Sequence, residues 1–407
     1  MGQFVIIIIA FLSIPILNKL KLNLGTSILG AGLILGILSR IGLSTFGSIV
    51  IGVFTETASV DTILTVAIVG ILGGLMKHYN LLDRIVDSML NIINDKKLIL
   101  MVIPPMMGML SIPGGAALSA PFINNMGDEL EISPVRRTAI NLVFRHISLF
   151  FLPYGSSLLL IQSSLPQLNI YKFIMLNSIL IIGILVSGYF LYVRKVKSIK
   201  VERKSSPVKE FLRLILLTSP IYISVLIDSM TNFPFFISML FSILCLYFLS
   251  DRKGFLGQIT KSMNWDAIVT VTGILIIKDI ILNMDELILF IEKIFAMANN
   301  QFVILGIFMF VAMFFGFITG NSSVPMAVTL PFLIMMNLPL NKLYVYIFFL
   351  FASGFYGYYF SPIHLCQILT IQEMGTNIFD LYKEYRWYAL INIGILVIST
   401  SILLIFV

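Results

Sequence analysis

The sequence predicts an all-α polytopic membrane protein built as two inverted repeats, with about ten transmembrane helices and two re-entrant helical hairpins. Three features predict it. First, the chain is 58% hydrophobic and 12% charged, with mean hydropathy +1.00. So few charges cannot cover a soluble fold of 407 residues, and lipid must solvate most of it. Second, many apolar runs reach the roughly 20 residues that a bilayer helix needs. Third, two long apolar stretches are interrupted in matching ways. Gly108, Pro113-Gly114-Gly115 and Pro121 break one. Gly316, Thr319-Gly320-Asn321-Ser322-Ser323 and Pro331 break the other, and Pro153 and Pro362 follow at similar distances. Corresponding breaks stand about 210 residues apart, and paired breaks of this kind are the sequence sign of a transporter binding site.

In chain order, the first half carries spans at 4–18, 24–42, 61–77, 134–166 and 171–193. The second half carries spans at 209–228, 233–250, 265–283, 341–371 and 386–407. The first run has its positive charge behind it, at Lys19 and Lys21, and reads as a retained helix rather than a secretory signal. The spans 134–166 and 341–371 are long and broken by proline. The interrupted stretches 97–127 and 301–337 are too long for one straight crossing and marginal for two, which suits a hairpin entering and leaving by one side. The predicted organisation is a first repeat over 1–193, a linker over 194–208 and a second repeat over 209–407. Segments 81–90 and 287–295 have apolar residues at helical spacing. They read as interfacial arms carrying the hairpins, or as plain connectors.

The linker contains Arg194, Lys195, Lys197, Lys200, Arg203 and Lys204, and basic loops face the cytoplasm. Setting it inside puts most other basic loop residues inside and both termini outside. An odd number of spans per half then inverts the second copy. The net charge of +7 is explained by orientation rather than by nucleic acid.

A helix that stops at mid-membrane leaves unpaired N–H groups at one end and unpaired C=O groups at the other. Such ends bind an anion and a cation without formal charge in the lipid core. The candidate binding residues are therefore Ser111, Pro113, Gly114 and Gly115 at the first tip, and Thr319, Gly320, Asn321 and Ser322 at the second. Tyr154 and Ser361 join them from the broken helices, and a sodium ion is expected near Gly114 and Asn321. Hydroxyls can instead bond back to their own helix, whereas asparagine in lipid needs partners. Arg145, His146 and His364 are candidates for coupling or charge relay, because intramembrane ionisable groups are functional by default. The other readings are an arginine snorkelling to the interface and hydrogen-bonded core histidines. Lys278 and Asp279 read as a neutralised pair. Cys245 and Cys366 read as core thiols without metal-binding spacing, and no cofactor is expected beyond a coupling sodium ion or proton.

The runs Gly108-Met109-Leu110-Ser111-Ile112-Pro113-Gly114-Gly115-Ala116 and Asn141-Leu142-Val143-Phe144-Arg145-His146-Ile147 resemble the domain of unknown function 401 family of prokaryotic membrane proteins. Gly316-Phe317-Ile318-Thr319-Gly320 and Ser361-Pro362-Ile363-His364-Leu365-Cys366 fit it too. That family is grouped with the ion transporter superfamily, which includes divalent-anion/sodium symporters and gluconate permeases. The resemblance implies an elevator-type inverted-repeat transporter in a prokaryotic plasma membrane, usually as a homodimer. The expected function is a secondary active symporter of a small organic anion, coupled to sodium or protons, and not an enzyme. The alternatives are a channel, for which no ring of like charge is seen, and an intramembrane hydrolase using Ser111 or Ser361 with His146, for which no nucleophile-elbow spacing is seen.

Overall fold

The computed structural model describes residues 2–109, 115–200, 202, 205–231, 233–284, 286, 289 and 300–407. The described chain is an all-α membrane protein. Six helices or broken helices are long and apolar enough to cross a bilayer: Thr57–His78, Pro134–Ser164, Ile170–Val193, Pro207–Met230, Gln301–Thr319 and Ile378–Ile405. Large apolar side chains such as Leu43, Met230 and Ile405 point outward, as lipid-facing residues do.

One group of helices comes from the start of each half. It comprises α1 (Gly2–Lys19), α2 (Leu24–Leu38), α3 (Leu43–Thr55), α4 (Thr57–His78) and α5 (Leu81–Ile92). From the second half come α12 (Pro207–Met230), α13 (Phe235–Leu249), α14 (Phe255–Lys261) and α15 (Trp265–Leu282). The halves interleave: α2 packs on α1 and α15, while α13 packs on α12 and α4. Asp61 joins them chemically. Its carboxylate accepts the N–H groups of Phe235 and Phe236 at 3.2 and 2.9 Å, capping α13 from the other half.

The remaining helices form the second group. They are α6 (Lys96–Gly108), α7 (Ala116–Glu129), α8 (Pro134–Arg145), α9 (Ser148–Phe151), α10 (Ser156–Ser164) and α11 (Ile170–Gly188), the last followed by one π-helical turn. Their second-half companions are α16 (Gln301–Thr319), α17 (Val324–Met335), α18 (Leu340–Tyr359), α19 (Leu365–Met374) and α20 (Ile378–Ile405). Lys96 at the start of α6 forms an ion pair with Glu129 at the end of α7, so these two helices fold back with their bases together. Helix α6 packs on α7 and α8, and α16 packs on α17 and α18. Helix α7 also lies against α19, α17 against α10, and α11 against α20.

Several boundaries differ from those the sequence predicts. The span expected over 24–42 ends at Leu38. Arg40 takes φ +54°, and a separate helix, α3, follows. The last span begins at Ile378 rather than 386, because the Asn377 side chain accepts the Asp380 N–H at 3.0 Å and starts the helix before its apolar part. Segment 81–90 forms α5, and 287–295 lies outside the described residues apart from Leu289. The basic linker folds onto the base of α6. The Lys96 N–H donates to the Ile199 carbonyl at 3.0 Å, and Lys97 Nζ donates to the Arg194 carbonyl at 2.8 Å.

Candidate functional site

Three breaks converge among the described residues, and each has a local cause. Helix α16 stops at Thr319 because Gly320 takes φ +59°, where a side chain is strained. A Cβ at Gly320 would also approach Ile363 to 3.0 Å. Asn321 Oδ1 then accepts the Ser323 N–H at 2.8 Å, turning the chain into α17. The second break lies in the first half, where the sequence predicts a helix running to Pro153. Instead α8 ends at Arg145. Gly108 of α6 sits so close that a Cβ would lie 2.4 Å from the Arg145 carbonyl oxygen. Side chains add bonds to carbonyls at this helix end: His146 Nδ1 donates to Leu142 O at 2.6 Å, beside the His146 backbone N–H, and Ser148 Oγ donates to Arg145 O at 2.9 Å. One turn of α9 follows, and Leu152–Gly155 leads into α10. At the third break α18 ends at Tyr359, and α19 begins after His364.

These breaks enclose a cavity of about 500 Å³. Of the residues the sequence singles out, Arg145, His146, Tyr154, Thr319, Gly320, Asn321, Ser322 and His364 line it. The Tyr154 hydroxyl donates to the Met109 carbonyl at 3.0 Å. Two described candidates do not line it. Gly115 is buried at the start of α7. Ser361 is buried, with its hydroxyl donated to the Phe317 carbonyl and its own carbonyl accepting from Gln367 Nε2 at 3.1 Å. Ser361 is thus engaged with α16 rather than with His146. Ser111, Pro113 and Gly114 lie outside the described residues, and with them the first tip and the sodium position expected beside Gly114.

The cavity wall combines helix N-termini, a buried cation and a carboxylate. Helices α10 and α19 begin at the cavity wall and α17 begins just past Ser322 of that wall, and none of their first turns is capped by its N-cap side chain. Serines tie two of these ends together. Ser157 Oγ donates to Ser322 Oγ at 3.0 Å, and Ser323 Oγ donates to Ser156 Oγ at 2.8 Å. Arg145 is 4% exposed, and its Nη1 has no hydrogen-bond partner. No ion pair among the described residues includes it. A buried guanidinium left uncompensated costs several kcal/mol, roughly, so an anion in the cavity offsets a real penalty. A carboxylate also lines the cavity: Asp266 of α15 accepts the Gly25 N–H of α2 at 2.8 Å.

Sequence reasoning missed several members. Asn23, Asn264 and Asp266 line the cavity, at the starts of α2 and α15. Cys366 is no ordinary core thiol: it lines the cavity and clusters with His146 and His364. The His364-x-Cys366 spacing was the visible part of that signal; His146 stands 218 residues from His364 and had none. Lys278 and Asp279 are the neutralised pair their sequence suggests, 3.2 Å apart. No curated protein matches the chain. A family model matches residues 3–406, nearly the whole chain, and the protein belongs to the family described as Protein of unknown function (DUF401).

Proposed function

We propose that the protein is a secondary active transporter, a symporter that carries a small organic anion through a cavity between two hairpin tips and two broken helices. The observation that carries this reading is Arg145: a buried guanidinium whose Nη1 has no partner, facing a cavity at which the uncapped N-termini of α10 and α19 open. A carboxylate of an organic acid supplies the missing partner, and arginine binds it through two parallel hydrogen bonds. The volume of about 500 Å³ suits a small metabolite and falls within the usual range of ligand sites.

Two inverted repeats account for the packing. Helix α7 lies against α19 as α17 lies against α10, and α6 meets α8 as α16 meets α18. Equivalent glycines do equivalent work. A Cβ at Gly108 would meet the Arg145 carbonyl at 2.4 Å, and one at Gly316 would meet the Gly354 carbonyl at 2.6 Å. Both the glycines and their partners stand about 210 residues apart, as repeats at that offset require. In this reading α6–α11 and α16–α20 move as a transport unit against α1–α5 and α12–α15, an elevator of the ion transporter superfamily type. Asn23, Asn264 and Asp266 lie on the scaffold side of the cavity. The coupling ion is sodium or a proton. Asn321 and the carbonyls ending α16 support the first, and the His146–His364 pair supports the second. The protein sits in a prokaryotic plasma membrane as a homodimer with both termini outside. Contact between the basic linker and the base of α6 supports one shared cytoplasmic side.

Uptake into liposomes of radiolabelled organic acids, with and without a sodium or proton gradient, tests this. Gradient-driven accumulation above equilibrium is expected. Passive equilibration alone would make the protein a channel, and cleavage of a labelled peptide would make it an intramembrane hydrolase.

A further inference from the structure

We propose that His146, His364 and Cys366 form a binding site for a thiophilic transition-metal ion, Zn²⁺ being the best fit, with one coordination position left open to the cavity. The three residues are 3%, 1% and 7% exposed, and one ligand atom from each lies within 4.8 Å of the others. Zinc sits about 2.0–2.1 Å from histidine nitrogen and 2.3 Å from thiolate sulfur, so a tetrahedral site separates two such nitrogens by about 3.3 Å. The Nε2 atoms of His146 and His364 are 3.2 Å apart. They already have the separation that a shared ion imposes.

The surroundings orient the ligands. His146 Nδ1 faces the Leu142 carbonyl at 2.6 Å. A carbonyl only accepts, so Nδ1 carries the proton and Nε2 is the lone-pair atom. This backbone bond is the outer-shell contact that metal-ligating histidines use to fix their tautomer. The ring of Tyr358 lies 4.1 Å from that of His364, and the ring of Tyr359 lies 5.4 Å from that of His146, restricting both imidazoles. His364 Nδ1 is buried without a hydrogen-bond partner, so that ring is held on its Nε2 side, where it meets His146 Nε2, and an ion would replace that single contact.

Two imidazoles and a thiolate select zinc or cuprous ion over magnesium or calcium. Three protein ligands with a fourth position facing a cavity make the open type of zinc site rather than the closed structural type. Zn²⁺ with one thiolate carries a net positive charge, and Arg145 adds another in the same cavity. An anion entering the cavity can therefore complete the coordination sphere. The site itself does not depend on what the cavity transports.

The test uses the full chain, purified in detergent, stripped with a chelator and titrated with Co²⁺. One equivalent is expected to bind with a sulfur-to-cobalt charge-transfer band, which Zn²⁺ displaces. Cys366→Ala should lose that band, while Cys245→Ala, which alters the other free thiol on α13, should keep it. His146→Gln and His364→Gln should each weaken Co²⁺ binding by at least about 10-fold, since loss of even an outer-shell partner costs roughly 10–100-fold. X-ray absorption on the zinc-loaded wild type should report one sulfur and two imidazole nitrogens, a readout that requires no variant to fold. A wild type without the charge-transfer band, a band surviving Cys366→Ala, or a zinc shell of oxygen and nitrogen alone would overturn the proposal. Loss of transport with the cobalt band intact would instead count against the symporter reading.

Discussion

Replacing Arg145 with methionine should move two quantities in opposite directions, and the structure sets both signs. The guanidinium is 4% exposed, and its Nη1 has no partner. Methionine keeps much of the buried volume and removes the charge. For the empty protein this deletes an uncompensated buried ion, and hydrophobic replacement of buried ions is often neutral or stabilising by roughly 1–4 kcal/mol. For the anion-bound protein it removes the charged fork that the ligand needs. Hydrogen bonds to charged groups contribute about 1.5–3 kcal/mol each, and truncating one side of a buried charge pair costs about 2–5 kcal/mol. Taking about 3 kcal/mol, affinity for the bound organic acid should fall roughly 100-fold. The assay is thermal unfolding of purified wild type and Arg145→Met across a panel of organic acids, with calorimetric titration of the acids that stabilise wild type. The expected result is an unchanged or raised midpoint without ligand, together with loss of the ligand-induced shift. An affinity within about threefold of wild type, or less than about 1 kcal/mol, would refute Arg145 as the anion partner. A large fall in the ligand-free midpoint would make it a structural residue instead.

Three further outcomes are expected. Asn321→Ala should abolish uptake while the elution profile stays that of wild type and stability falls by only about 1 kcal/mol, the worth of the elbow bond to the Ser323 N–H; normal uptake would remove Asn321 from the site. A cysteine replacing Ser206, in a background lacking Cys245 and Cys366, should react with impermeant maleimide only from the cytoplasmic side, and labelling from outside would invert the topology. Gly357→Ala should destabilise the protein by about 1–3 kcal/mol, since its Cβ would lie 2.2 Å from the Met313 carbonyl oxygen. Gly394→Ala on α20, with nothing within 4 Å, should be neutral or mildly stabilising; equal unfolding midpoints for the two alanine variants would show that α16 and α18 do not pack this closely.

How far a feature was legible depended on the range of its cause. The elbow at Gly320-Asn321 was readable because a left-handed glycine and an asparagine turn act within a few residues. The stop of α8 at Arg145 was not, since Gly108 of another helix presses on that carbonyl and no proline marks the spot. Helix α3 escaped notice because the break at Leu38–Gly42 contains neither proline nor a charge cluster, only Arg40 in the left-handed region. Pro153 and Pro362 were correct markers of irregular backbone, although each break begins upstream of its proline.

The sequence by itself determined that lipid is the solvent, where most of the long apolar helices lie, and where glycine, proline and asparagine interrupt them. Hydropathy and backbone preference act over a turn or two and need no distant partner. Tertiary structure alone decided that Arg145 faces a cavity unpaired, that Ser156 and Ser323 join two helix ends, and that Cys366 meets His146. Charge compensation and ligand geometry depend on groups a few ångströms away in space, and here those groups lie far apart along the chain.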